Sequence, residues 1–156
     1  MILRYGNYIL DVDAAATSAF YARHTDTEDC DCPGCRNYRA WTASVDCTLR
    51  EALVPLGLRP EQVAEIYVNC RNDDGTLFYG GFFHICGKIL QSGIVWTEIT
   101  ERSRTMGAES FVELVPGFDI YFEEEVHLLE KDFPTPVIQM EFYTNIPWVL
   151  PEPCDY

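Results

Sequence analysis

The chain has 156 residues, with 25 acidic against 11 basic side chains and a formal charge of −14. This length fits one domain, residues 1–156, and a chain of this order buries ~68–70% of its unfolded surface without needing a staple. The charge opposes the phosphate neutralisation that nucleic-acid binding requires and disfavours anionic membrane surfaces, while leaving room for a basic protein partner.

In chain order, residues 8–13 alternate partially and read as a strand, and residues 17–23 read as its antiparallel partner. The acidic stretch 25–30 reads as loop. From Asn37 the apolar positions Tyr38, Trp41, Val45, Leu49, Ala52 and Leu53 recur at three and four residues, which predicts a helix of about four turns over 37–53. Asn37 is the expected cap, and Pro55 and Gly57 mark the end. Such a helix would bury Trp41, Val45 and Leu49 and leave Arg39, Asp46 and Arg50 more exposed.

Residues 63–70 and 76–86 are rich in β-formers and flank Asp74-Gly75, a strong hairpin signal. A two-residue loop there would set Ile66 opposite Phe83, Cys70 opposite Tyr79 and Glu65 opposite His84. One hairpin face, with Ala64, Ile66, Val68, Cys70, Tyr79, Phe83 and Ile85, reads as core. The other, with Glu65, Tyr67, Phe82, His84 and Cys86, is mixed. Gly80-Gly81 lies in this strand without the lysine and helix of a phosphate loop, so it reads as a packing feature.

Periodicity is weak from 87 to 107, apart from a short strand around 94–96. Strands follow at 111–115, after which Pro116-Gly117 turns the chain, and from 118, where shared parity to Leu128 favours one long bent strand over a strand and short helix. Residues 137–142 form the last clear strand. The apolar tail 146–151 carries prolines that forbid a helix interior, and Trp148 is expected to bury onto the domain. The fold class is therefore α+β, with an antiparallel sheet or sandwich-like core and one main helix. No stretch approaches eighteen continuous apolar residues and the first residues lack signal-peptide features, so a cytoplasmic chain is expected.

The chemistry concentrates in Cys30-Asp-Cys32-Pro-Gly-Cys35-Arg-Asn, with His24 six residues upstream. Seven cysteines leave an orphan in any fully paired framework, and disulfides are rare in a reducing compartment. Soft thiolates with an imidazole suit Zn²⁺, for which Cys₃His and Cys₄ shells are usual. The metal reading takes Cys30, Cys32 and Cys35 as ligands and draws the fourth from His24, His84 or Cys86, with His24 leading by proximity. Four protein ligands would make a structural site; three plus water would permit Lewis-acid hydrolysis. Cys32 and Cys35 also have the spacing of a redox dithiol, although no βαβ pattern precedes them. Against each reading stands a plainer one: exposed thiols, a loop histidine at 24, a cross-strand His84–Glu65 pair, and Cys47, Cys70, Cys86 and Cys154 as small buried hydrophobes.

No catalytic residue emerges. Asp11 with Asp13, and the acidic run 123–125, have no diagnostic pair geometry and read as solvated surface, so whether the chain is an enzyme stays open. A metal-free interaction module, its acidic surface meeting a basic partner, is the alternative function.

The spacing from His24 through the cysteines to Asn37, the Tyr79-Gly-Gly-Phe-Phe-His84 stretch and the final Pro147-Trp-Val-Leu150 together resemble a group of small uncharacterised bacterial proteins with a CxCxxCxN motif and a C-terminal PWVL segment. The resemblance implies a bacterial cytoplasmic chain and carries no catalytic role.

Overall fold

The computed structural model describes residues 1–24 and 30–156; of the predicted acidic loop 25–30, all but Cys30 lies outside the described residues. Nine strands and three α-helices are described, confirming a mixed fold on an antiparallel sheet. The strands are β1 (Ile2–Tyr5), β2 (Tyr8–Val12), β3 (Glu65–Arg71), β4 (Leu77–Gln91), β5 (Trp96–Thr100), β6 (Ser103–Met106), β7 (Val112–Val115), β8 (Phe118–Glu123) and β9 (Val137–Ile146). A seven-stranded sheet runs β1-β2-β4-β9-β8-β7, with β3 also pairing with β4, while β5 and β6 form a separate exposed ribbon. No helix is long and apolar enough to cross a membrane among the described residues.

Strand β4 is the spine. Along one edge it pairs with β9 from Leu77 to Cys86; along the other it pairs first with β3 and then with β2. Between those partners, about His84 to Cys86, its edge would be bare. Helix α1 (Ala14–Tyr21) fills that gap, where residues 17–23 were expected to be a strand. The Asp13 side chain accepts from Ala16 N at 2.9 Å and starts the helix. Thr17 and Tyr21, one helical turn apart, then face the edge together: Cys86 N donates to Thr17 Oγ1 at 2.9 Å, and His84 N to Tyr21 Oη at 3.2 Å. Spacing that resembles alternation is here the i, i+4 face of a helix.

The predicted helix over 37–53 is two helices, α2 (Pro33–Ser44) and α3 (Cys47–Leu53), so one main helix is corrected to three. Proline at the first helical position starts α2 earlier than Asn37, because its fixed φ suits a helix start and its missing N–H would be unpaired there. Val45 is extended, and Asp46 accepts from Thr48 N at 2.8 Å to start α3 afresh. Leu49 is buried as expected, whereas Trp41 and Val45 are only half-buried. Gly57 closes the following 3₁₀ turn at φ 76°.

The hairpin forms with its faces as predicted and its register displaced by two residues. Ile66 opposes Gly81, Glu65 opposes Phe82, and His84 opposes Gln139 on β9, so no His84–Glu65 pair exists. The loop is longer than two residues: Gly75 N donates to Asn72 O at 3.0 Å, Asn72 N to Thr76 O at 2.8 Å, and Gly75 takes φ 86°. A two-residue slip preserves parity, so Ile66 and Phe83 still enter one core. A bulge between Val68 and Cys70 then reverses the parity and leaves Cys70 exposed rather than in the core.

That core lies on the face carrying Tyr79, Phe83, Ile85, Met140, Phe142, Ile120 and Phe122, roofed by Tyr38, Leu49, Leu53 and Leu56. The opposite face is partly polar, and holds buried His84, Gln139 and Glu141. Two further expectations are corrected. Strand β8 stops at Glu123 and the chain runs irregularly to β9, and the strand expected at 94–96 begins only at Trp96.

Candidate metal centre

Cys30, Cys32 and Cys35 bring their sulfurs within 4.8 Å of one another, and this is the one grouping of three or more metal-donor side chains at such separation among the described residues. The geometry follows from the helix start. Cys32 is the residue before α2, Pro33 is its first helical residue, and the helical turn carries Cys35 back beneath Cys32. Cys35 is buried while Cys30 and Cys32 are exposed, so the group has a protein floor and an open side.

Gly34 lets two neighbours approach closely. A side-chain carbon there would lie 2.6 Å from Tyr156 Oη and 3.0 Å from Val68 Cγ2. In their place Gly34 N donates to Tyr156 Oη at 3.0 Å, and Tyr79 Oη donates to Gly34 O at 2.9 Å. Two tyrosines from distant chain positions thus clamp one residue of the cysteine turn. Burial pushes the Tyr79 phenol up to about 12. Burial, then the adjacent Cys32 sulfur, also raises that of Tyr156.

Asn37 is a buried buttress rather than a helix cap. Its Nδ2 donates to Pro147 O at 3.2 Å and to Tyr79 Oη at 3.3 Å, and its Oδ1 accepts from Val149 N at 2.8 Å. The apolar tail is therefore tied to the helix that carries the thiols, and Trp148 sits half-buried with its Nε1 donating to Glu152 O at 2.6 Å. On the solvent side, Arg39 Nη1 donates to Cys30 O at 2.9 Å, and Arg36 Nη1 lies 2.7 Å from Glu152 Oε1.

Charge favours thiolate at Cys32. Partial burial opposes ionisation, but the amide of Cys35, the thiols of Cys30 and Cys35 and the amide of Gly34 together bring its pKa below the ordinary thiol value. Both amides lie in the first turn of α2, where the helix dipole also favours thiolate. A tetrahedral Zn²⁺ with bonds of about 2.3 Å sets its sulfurs about 3.8 Å apart, within reach of small side-chain rotations from the observed separations.

The other donors named from the sequence lie elsewhere. His24 stands outside the thiol group, its ring stacked on Phe20 at 4.0 Å between centroids and its Nδ1 3.0 Å from Phe20 O. His84 is buried between Phe82 and Phe133 with Nε2 2.8 Å from His127 O, and burial depresses its pKa. Cys86 is buried, and desolvation followed by Asp13 raises its thiol pKa. Cys47 is exposed and Cys154 half-buried, so of the four thiols expected to be buried only Cys86 is fully so. Sequence reasoning missed Tyr79 and Tyr156; Gly34 and Tyr156 are 122 positions apart, and no local pattern marks the pairing.

No protein-family model, curated protein or solved structure matches the chain.

Proposed function

We propose that Cys30, Cys32 and Cys35 hold one Zn²⁺ in a structural site that fastens the cysteine turn to α2, with His24 as the fourth ligand. The observation that carries this reading is the convergence of three sulfurs on a clamped helix start. For His24, the support is chemical: an imidazole that donates Nδ1–H to the Phe20 carbonyl keeps its Nε2 lone pair for a metal, and backbone carbonyls commonly orient ligating histidines this way. Both His24 and Cys35 line one cavity, which supports bringing them into one ligand shell. Three thiolates and an imidazole leave no open position for water, which makes the ion a fastening rather than a Lewis acid. Zinc titration of reduced protein with a thiol-sensitive chromophoric competitor tests this reading, with one equivalent expected and a loss of binding in Cys32→Ala and Cys35→Ala.

A thiol-redox role is the second reading, favoured by the stabilised thiolate at Cys32 beside Cys35. The whole chain, residues 1–156, acts in this proposal as one domain in a reducing bacterial cytoplasm, where free thiols persist. Its net charge of −14 supports attraction to a basic protein partner rather than to nucleic acid.

A further inference from the structure

Cys35 and His24 border a cavity whose other walls the metal reading does not use. This cavity, of 450 Å³, opens between the end of α1, α2 and the segment leading into β3. Its walls include the rings of Tyr21 and Tyr38 and the side chains of Val63 and Ile66. It is also lined by Arg39, Arg50 and Arg59, with Glu61 the one carboxylate in the lining and Asp31 beside Arg39. In a chain with 11 basic residues and a charge of −14, three arginines around one cavity are a local reversal of sign.

Glu61 sets the arrangement. Its Oε2 lies 3.0 Å from Arg50 Nη1 and its Oε1 lies 3.6 Å from Arg59 Nε, so one carboxylate orients two guanidinium groups. Arg50 is fixed further by donating Nη2 to Thr42 O, at the end of α2. Arg39 is held from the other side by Cys30 O and Asp31. One carboxylate cannot saturate the N–H donors of two guanidiniums, and their planar forks match the oxygens of a carboxylate or phosphate. The volume falls in the range of small-molecule sites, and an apolar wall with a few convergent polar groups is their usual composition.

We infer that this cavity binds a small molecule with an aromatic or aliphatic body and an oxyanion head, the body against Tyr21, Tyr38, Val63 and Ile66 and the head on Arg50 and Arg59, which Glu61 brings together. The inference does not depend on zinc: none of the three arginines is a proposed ligand, although the proposed ligands His24 and Cys35 line the same cavity. It does place the bound molecule against Cys35, on the inner side of the thiol group.

The test is calorimetric titration of the reduced full-length chain with phenyl phosphate, phenylacetate and benzyl alcohol, with metal content measured separately on the same sample. Saturable binding of at least one anion is expected, with none for the neutral alcohol; whichever anion binds more tightly identifies the head group as phosphate or carboxylate. Arg59→Ala, at a largely exposed side chain, is expected to weaken binding by about tenfold or more with an unchanged unfolding curve. Arg59→Lys should recover part of it, and Arg104→Ala, on the separate β5–β6 ribbon, should leave it unchanged. The inference is overturned if neither anion binds, if benzyl alcohol binds as well as the anions, or if Arg59→Ala and Arg50→Ala bind like the unmodified protein.

Discussion

Replacing Asn37 with Ala removes the buttress that joins the thiol-bearing helix to the apolar tail. Asn37 is fully buried, and its amide serves Tyr79, Pro147 and Val149 at once. Tyr79 Oη keeps Gly34 O as an acceptor after the change, so the groups left without partners are Pro147 O and Val149 N. Both groups are part-buried, so each lost hydrogen bond costs ~1 kcal/mol, and the small cavity adds ~1 kcal/mol. Alanine is the better helix former by ~0.5–0.7 kcal/mol, which offsets part of this. The net expectation is a loss of ~2–3 kcal/mol. Urea unfolding in reductant and chelator reads it without interference from metal, as a midpoint lower by roughly 1 M at an ordinary denaturant slope. A loss below ~1 kcal/mol would mean that the tail is not bonded to α2 in solution, and the account of how the cysteine turn is held would fail with it.

Trp41→Ala, at a half-buried ring, should cost ~1–3 kcal/mol in the same assay, below the ~3–5 kcal/mol of a fully buried aromatic; a value near 5 would show that the ring is covered in solution. With metal absent, iodoacetamide followed by peptide mass analysis should modify Cys32 faster than the exposed Cys47 and Cys70 near pH 7, and equal rates would deny the stabilised thiolate. Glu141 is buried and its pKa is pushed up to about 7, chiefly by desolvation. A carboxyl raised on folding binds its proton more tightly in the folded chain, so its contribution is full below the unfolded value of ~4.3 and is lost as pH rises through about 7. Glu141→Gln should therefore flatten the fall in stability between pH 5 and 8, and an unchanged slope across ~pH 5–8 would place the group in solvent.

The parts of the fold that were legible in the sequence rest on local rules. Period-two patterning fixed the hairpin faces even where the register slipped, because a two-residue slip keeps parity. The turn at Asp74-Gly75 and the helix stop at Gly57 were visible because positive φ is demanded there. The misread elements answer to tertiary demands. Thr17 and Tyr21 are placed to cover the bare edge of β4, a need that exists only once β2 and β3 have left it open. The break at Val45 leaves the apolar period of 37–53 intact, so periodicity alone could not show it; Asp46 ahead of Thr48 was the local signal. At the site, the spacing of the three cysteines anticipated their convergence, since one helical turn sets Cys35 near Cys32. The clamp from Tyr79 and Tyr156 had no signal, because contacts across 45 and 122 positions leave no trace in spacing.

Elemental analysis of native, untagged protein purified under reducing conditions tests the central claim most directly. The account predicts one zinc per chain, lost in Cys32→Ala and Cys35→Ala and weakened in His24→Ala, with chelator lowering the unfolding midpoint because the metal binds only the folded turn. Protein that carries no stoichiometric metal, acquires none on titration and unfolds identically with and without chelator would contradict it.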